Sequence, residues 1–216
     1  MEKLYPDSKV EVRGWEAKNY DILMNIMTFG QYSGFIKRVI GDMEIKTDDK
    51  IIDLGCGTGR NSCLMLNYLS ESGSITGYEI SPEMIEQFKK NCLKYPNVQL
   101  RETRIDTDLG VEDEIDKAFI SFVLHGFPQE VRLKVIDNVY KALKKDGWFI
   151  ILDYNEFKLS EMPFYLRIPF TKMECKYAFD FLEKNWKEIL TDKGFGDFRE
   201  TFYFGKYVRL LKARKI

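Results

Sequence analysis

The residues best suited to chemistry lie in residues 50–60, which read KIIDLGCGTGR. Asp53 interrupts an apolar run there, and glycines follow at alternate positions as Gly55, Gly57 and Gly59. Glycine permits positive φ angles, and a ligand can approach its backbone closely because no Cβ is present. Helical apolar spacing follows, and the first turn of a helix offers N–H groups to a polar or anionic ligand group. The stretch predicts a strand, a tight turn and a helix that together bind a small ligand.

The spacing of the glycines discriminates between kinds of nucleotide site. A dinucleotide-binding turn reads G-x-G-x-x-G, and Arg60 stands where the third glycine would be. A P-loop needs Gly-Lys-Ser/Thr after four residues, and the chain contains no such set. A nicotinamide-dependent oxidoreductase is therefore an alternative that the turn disfavours.

Two further side chains are candidates for binding and catalysis. Glu79 ends the second predicted strand, where its carboxylate can accept hydrogen bonds from paired hydroxyl groups such as those of a ribose. His125 is the only histidine, follows the fourth predicted strand and is the candidate general base. A purely structural role for His125 is left open. Tyr20, Asp153 and Tyr154 are weaker candidates for the same role.

The elements that must position these residues alternate between strand and helix from residue 50 to residue 153. Predicted strands cover residues 51–54, 74–80, 98–101, 115–123 and 148–152. Such alternation predicts an α/β fold, with an open parallel sheet, helices on both faces and ligands at the carboxyl ends of the strands. A long helix is expected over residues 174–192. Two final runs, residues 198–204 and 208–211, have the spacing of an antiparallel hairpin.

Composition limits the function classes. The chain has 216 residues, so one globular domain is expected. Its net charge of −1 argues against a general nucleic-acid binder. Residues 1–10 lack the apolar core of a signal peptide, and the apolar runs are far shorter than the ~20 residues of a membrane span, so a cytoplasmic location without membrane insertion is expected. Four cysteines without a C-x-x-C pair, and a single histidine, predict no structural metal site and reduced thiols, with Cys63 and Cys92 in the core.

Several motifs together resemble the class I S-adenosylmethionine (SAM) dependent methyltransferases. These are residues 53–59 (DLGCGTG), 81–84 (SPEM), 122–127 (FVLHGF) and 143–148 (LKKDGW). Residues 17–30 also resemble the entry segment of the ubiquinone/menaquinone biosynthesis C-methyltransferases. The resemblance implies a Rossmann-like seven-stranded sheet, mostly parallel with a C-terminal antiparallel hairpin. It also implies cofactor-covering helices in residues 1–45 and a methyltransferase domain in residues 46–216.

By the same resemblance, the cofactor is S-adenosyl-L-methionine. Its binding residues would be Tyr20, Asp53, Gly55, Cys56, Gly57, Thr58, Gly59, Glu79, Ile80, Met84, Arg104, Ile105, Asp106, Ser121 and Phe122. The glycine turn would hold the methionine part, Glu79 the ribose and Ile80 the adenine face. The chain departs from the family after the third strand, where Arg104 and Ile105 replace an acidic or amide residue and a small one. Whether Arg104 or Asp106 meets the adenine amino group therefore stays open.

The acceptor is least explicit in the sequence. The aromatic-rich residues 154–181 favour a small hydrophobic acceptor, although they also suit a helix packed over the sheet. The resemblance favours a ring carbon of a quinone precursor. Methylation at nitrogen or oxygen of a lipid head group or another small molecule is the alternative, as is an inactive SAM-binding regulatory subunit. Peripheral membrane contact and a homodimer are left open.

Overall fold

We analysed a computed structural model, which describes Tyr5, Ser8, Gly14 and residues 31–216. Of the cofactor-covering helices expected in residues 1–45, the part before residue 31 lies outside the described residues, apart from Tyr5, Ser8 and Gly14. Tyr20 lies outside them as well, so its predicted role has no structural counterpart here.

Within residues 31–216, seven strands form one sheet, as the sequence and the resemblance predict. The strands are β1 (Lys50–Leu54), β2 (Ser74–Tyr78), β3 (Val98–Arg101), β4 (Ile115–Ser121), β5 (Leu143–Tyr154), β6 (Phe195–Tyr203) and β7 (Val208–Lys215). Their order across the sheet is β3-β2-β1-β4-β5-β7-β6. The first five pair in parallel, and β7 pairs antiparallel with both β5 and β6. The predicted Rossmann-like, mostly parallel sheet with a C-terminal antiparallel hairpin is confirmed.

Helices cover both faces of this sheet. In the range 31–216 they are α1 (Tyr32–Asp42), α2 (Arg60–Met65), α3 (Pro82–Cys92), α4 (Gln129–Ala142), α5 (Phe164–Met173), α6 (Lys176–Leu182) and α7 (Trp186–Asp192). Alternate residues of the central strands enter different cores. Ile52 and Ile120 pack with α4 on one face, whereas Ile51 and Phe119 pack with α1 on the other. The central strands are therefore nearly all apolar because both of their faces are buried.

The prediction of one long helix over residues 174–192 is wrong. The segment forms α6 and α7 instead, separated at residues 183–185. Asn185 starts the second helix, because its side chain accepts a hydrogen bond from the Glu188 N–H at 3.2 Å. The Trp186 N–H donates to Glu156 Oε1 at 3.1 Å, which ties this helix start to the loop after β5. The apolar periodicity continued across the break, so it did not reveal the cap.

The prediction of four reduced thiols is wrong for one pair. Cys63 and Cys92 form a disulfide that joins α2, which follows the glycine turn, to the end of α3. Cys56 and Cys175 are free and buried. Among the described residues, no helix has the length and apolarity that a membrane crossing requires.

Candidate functional site

Four loops that carry the predicted site residues meet at one edge of the sheet. In the parallel register, Leu54 of β1 lies between Tyr78 of β2 and Ile120 of β4, and β4 in turn pairs with β5. The loops that follow these strands therefore emerge side by side. From β1 the sheet grows to one side through β2 and β3, and then to the other side through β4 and β5. Such a switch point opens a crevice beyond the carboxyl ends of the strands.

The glycine turn is anchored to the neighbouring strand. Gly55, Gly57 and Gly59 all have positive φ angles, of 69°, 54° and 80°. The N–H groups of Gly55 and Cys56 donate to the Tyr78 carbonyl at 2.9 and 3.0 Å. Because these two N–H groups already donate within the protein, the backbone cradle predicted for residues 55–59 offers fewer hydrogen-bond donors to a ligand than expected.

The glycines differ in the space around them. A Cβ at Gly59 would lie 2.6 Å from Cys92 Sγ and 2.8 Å from the Phe88 ring. A Cβ at Gly57 would meet only Met84 Sδ, at 4.0 Å. Gly59 is therefore required by packing beneath the turn, whereas Gly57 borders open space that a ligand can enter.

This difference predicts separable effects of two alanine substitutions. Gly59→Ala should lower the free energy of unfolding by about 2–4 kcal/mol, because the left-handed residue gains a Cβ and the new methyl group also overpacks the contact with α3. Gly57→Ala should lower it by only about 1 kcal/mol, the cost of a left-handed residue with a Cβ, while weakening ligand binding more. Denaturant unfolding and ligand titration of both variants measure this. Equal losses of stability would contradict the assignment of the open side to Gly57.

Glu79 joins the glycine turn to the loop after β2. Its Oε2 accepts the Gly57 N–H at 3.0 Å, and its Oε1 accepts the N–H groups of Ile80 and Ser81 at 2.7 and 2.8 Å. The carboxylate is thus held at the open side of the turn by backbone donors. Ile80 next to it is 37% exposed and offers an apolar surface to a flat ring. Met84, on α3, is buried and packs toward Gly57.

Asp53 lies beneath the turn at the end of β1 and is fully buried. Burial raises its pKa to about 7; the hydrogen bond from Ser62 Oγ, at 2.6 Å, opposes the rise, and the charge of Glu79 adds to it. Burial also raises the pKa of the Cys56 thiol, with smaller contributions from the same two carboxylates. A cationic ligand group in the crevice would favour the ionised form of Asp53. The electrostatics of this edge suit a ligand that carries positive charge.

Arg104 and Asp106, which the sequence left as alternatives, bind each other. Arg104 donates from Nε to Asp106 Oδ1 at 2.8 Å, and its Nη2 contacts the other carboxylate oxygen. The Tyr5 hydroxyl donates to the same carboxylate at 2.9 Å. The hydrogen bond from Arg104 holds the Asp106 pKa below its usual range, although burial opposes it. Ile105 between them is buried in the core.

At the end of β4, the predicted residues lie beside the loop after β5. Phe122 has a φ of 53°, in the left-handed region, and its ring lies 6.0 Å from that of Tyr154. Ser121, the last residue of β4, is half-buried. Thr58, on the glycine turn, is buried, and its carbonyl accepts a hydrogen bond from Asn91 Nδ2 at 2.9 Å.

His125 is buried between two carboxylates. Its Nδ1 lies 2.7 Å from Asp153 Oδ1, and its backbone N–H donates to Asp153 Oδ2 at 3.1 Å. Its Nε2 faces Glu174 Oε2 at 3.6 Å, and Glu174 accepts a hydrogen bond from the Tyr154 hydroxyl at 2.6 Å. Burial lowers the pKa of His125, but Asp153 and Glu174 together outweigh it, so the pKa is raised above 6.5. The arrangement can take up and hold a proton at Nε2.

Sequence reasoning missed two residues around His125. Glu174 follows α5, a helix that the sequence did not predict, and no local pattern pointed to it. Arg132 is fully buried on α4 and donates to the carbonyls of Leu124 and His125 at 3.2 and 3.0 Å. It also pairs with Asp180 of α6 at 2.7 Å. A charged residue on the apolar face of α4 was the signal that could have identified Arg132, since buried arginines need several partners.

Comparisons with known proteins agree with this geometry. A family model described as a methyltransferase domain matches residues 45–194. Demethylmenaquinone methyltransferases of Staphylococcus aureus strains JH9 and Newman are 30% identical over 141 residues, which is 65% of this chain and 57% of theirs. The chain thus spans a little over half the length of these curated relatives.

Solved structures share the fold at low sequence identity. A SAM-dependent methyltransferase from Aquifex aeolicus superposes with a TM-score of 0.63 at 18% identity, over 84% of this chain and 89% of that one. Human N-acetylserotonin methyltransferase, solved in complex with SAM, superposes with a TM-score of 0.70 at 18% identity, over 93% of this chain and 56% of that one. At these identities the similarity concerns the fold alone.

Proposed function

The chain belongs to the methyltransferase-domain family, within the class I SAM-dependent methyltransferases, and from this membership we propose that it transfers a methyl group from SAM to a small hydrophobic acceptor. The proposal rests mainly on one hydrogen bond: Glu79 Oε2 accepts from the Gly57 N–H at 3.0 Å, on the open side of a turn whose glycines have positive φ angles. A nucleoside with a cationic sulfonium fits a site that combines this carboxylate with the buried Asp53.

The residues at the sheet edge fit SAM chemically. Glu79 would accept the ribose hydroxyls, Ile80 would pack on the adenine, and the turn around Gly57 would hold the methionine part, with Asp53 below it. When bound, SAM supplies an electrophilic methyl group on a positively charged sulfur. The protein mainly has to hold the acceptor in line with that methyl group and to exclude water, because positioning can account for much of the acceleration.

His125 is the group that would remove a proton from the acceptor. In its neutral form it can accept the proton at Nε2, while Asp153 keeps the ring oriented through Nδ1 and stabilises the imidazolium that results. Arg132 donates to the carbonyls of Leu124 and His125, which lie on either side of the His125 Cα, and so positions the ring. Glu174 adds a second negative charge near Nε2.

For the acceptor, we propose a ring carbon of a hydroquinone-type quinone precursor. Support comes from the likeness to the demethylmenaquinone methyltransferases and from the ring of Tyr154, which lies next to His125 and contacts the rings of Phe122 and Phe170. Loss of a hydroxyl proton to His125 would push electron density into the ring and make the carbon nucleophilic. That carbon would take the methyl group as the S–CH3 bond breaks, and loss of its C–H proton with return of a proton to the oxygen would restore the hydroquinone. An amine acceptor is the second candidate, because Glu174 beside these aromatic rings also suits a cation.

Calorimetric titration of the full chain tests the proposal. Saturable binding of SAM is expected, together with no binding of NAD, because the turn lacks the third glycine of a dinucleotide site. Binding of NAD without SAM would overturn the proposal. A following assay for S-adenosylhomocysteine, with a demethylated naphthohydroquinone and with a lipid-like amine as acceptors, separates the two acceptor classes. SAM binding without product from either class would favour a regulatory SAM-binding protein.

A further inference from the structure

Helix α5 presents apolar side chains to solvent. None of its ten residues is buried. Phe164, Tyr165 and Ile168 are 68%, 63% and 52% exposed, and Leu166 and Met173 are also exposed. Scattered single apolar residues are normal at a surface, but five on one short helix form a cluster of the kind that marks a contact with a partner or a membrane.

The charges around this helix are mostly positive. Residues 158–176 contain four cations, which are Lys158, Arg167, Lys172 and Lys176. The two acidic residues in the same range are Glu161 and Glu174. Glu174 is directed inward, where it bonds to the Tyr154 hydroxyl and faces His125. The segment therefore carries a net positive charge beside an exposed apolar helix, in a chain whose net charge is −1.

The same helix forms part of the wall of the candidate site. The Phe170 ring lies 5.0 Å from the ring of Tyr154, which lies 4.9 Å from that of His125. Phe170 also contacts Phe157 in the loop after β5, with 6.2 Å between ring centroids. A continuous series of aromatic rings thus runs from the exposed helix to the proposed proton acceptor.

We propose that α5 is an interfacial helix that docks on an anionic lipid bilayer, so that a membrane-borne acceptor enters the site past Phe170. This inference rests on the proposed function for the hydrophobic character of the acceptor. A helix of ten residues is about 15 Å long, which suits a position in the plane of the membrane surface and not across it. Its apolar side chains enter the interface, and the surrounding cations meet anionic head groups.

Charge favours a bilayer over a second copy of the chain as the occupant. A symmetric dimer through α5 would place the net positive charge of residues 158–176 in one copy against the same net positive charge in the other. Like charges facing each other across an interface disfavour it. An anionic membrane surface offers the opposite charge over the whole patch.

Vesicle flotation of the full chain tests the inference. We expect binding to vesicles of mixed phosphatidylglycerol and phosphatidylcholine, weak binding to phosphatidylcholine alone, and weaker binding at high salt. The double variant Phe164→Ser/Ile168→Ser should lower the partition coefficient about tenfold, because less apolar area is buried. Lys158→Gln and Arg167→Gln should each lower it about fivefold on the anionic vesicles.

Tyr95→Ser is the matched control. Tyr95 is 40% exposed in the loop before β3, at the edge of the sheet opposite to β6. The partition coefficient of the Tyr95→Ser variant should equal that of the unaltered chain. Unaltered protein that does not float, or α5 variants that float equally well, would overturn the proposal. So would a dimer that the α5 variants dissociate while vesicle binding is absent.

SAM titration of every variant distinguishes this inference from the proposed function. The exposed residues of α5 are not assigned to cofactor binding, so SAM affinity should stay within about twofold. If SAM binding is normal and the variants leave vesicle binding unchanged, only the proposal that α5 docks on a membrane is rejected. Vesicle binding that depends on α5, in a chain that binds no SAM, would reject the proposed function alone.

Discussion

Replacement of His125 by alanine is expected to lower kcat about 100-fold to 10,000-fold, the range typical of losing a positioned general base. SAM affinity should remain unchanged, because the ring lies with Asp153 and Glu174 and not with the glycine turn. The measurement is release of S-adenosylhomocysteine with the hydroquinone acceptor under saturating SAM, paired with calorimetric SAM titration. Full turnover by the variant would reduce His125 to a structural residue.

The pH dependence gives an independent test of the same assignment. A base must be neutral to accept a proton, and the pKa of His125 is raised above 6.5. The rate of the unaltered protein should therefore fall as the pH drops through a value above 6.5. Asp153→Asn removes one charge that raises this pKa, so the acidic limb should move to lower pH. The free energy of unfolding depends on pH in the opposite sense. The stabilisation contributed by protonated His125 is full below about pH 6.5 and is lost as the pH rises through the folded-state pKa.

Phe179→Leu is a control for indirect effects on this cluster. Phe179 contacts Phe170, at 6.2 Å between ring centroids, whereas the ring of His125 contacts those of Tyr154 and Phe181. We expect the variant to keep the acidic limb of the rate profile where it is in the unaltered protein. A limb that moved equally in Phe179→Leu and Asp153→Asn would mean that packing, and not the Asp153 charge, determines the titration.

Replacement of Glu79 by alanine is expected to weaken SAM binding by about 2–4 kcal/mol, roughly 30-fold to 1000-fold in Kd. Two effects add. The variant loses a charged acceptor for the ribose hydroxyls, and the Gly57 N–H loses the carboxylate that now joins the turn to the β2 loop. Calorimetric titration measures the change directly.

Glu79→Gln separates these two effects. The amide keeps one oxygen that can accept from the backbone but loses the charge, so an intermediate loss of affinity is expected. Glu102→Ala serves as the control, because this carboxylate is exposed beyond β3 and pairs with Lys89. Its SAM affinity should not change. An unaltered affinity in Glu79→Ala would remove Glu79 from the cofactor site.

Much of the fold could be read from local patterns. The strand, turn and helix around Asp53 and Gly57 were predicted because each signal depends on residues close together in the chain, and the C-terminal hairpin followed from its short turn. The prediction of one long helix over residues 174–192 was wrong because a local pattern does not show a break that depends on distant residues. Its apolar periodicity continued, while the break depended on the cap at Asn185 and on a contact with Glu156 from another loop.

The sequence by itself determined the sheet and the family, and it predicted the edge of the sheet at which a ligand binds. Motifs with specific spacing carry that information because the turn requires glycine and the strands require apolar residues. Only the tertiary structure decided the surroundings of His125. Asp153, Glu174 and Arg132 come from separate elements, and their distances to the ring depend on how those elements pack. The exposure of the apolar residues of α5 was also decided there, since its composition alone is equally suited to a buried helix.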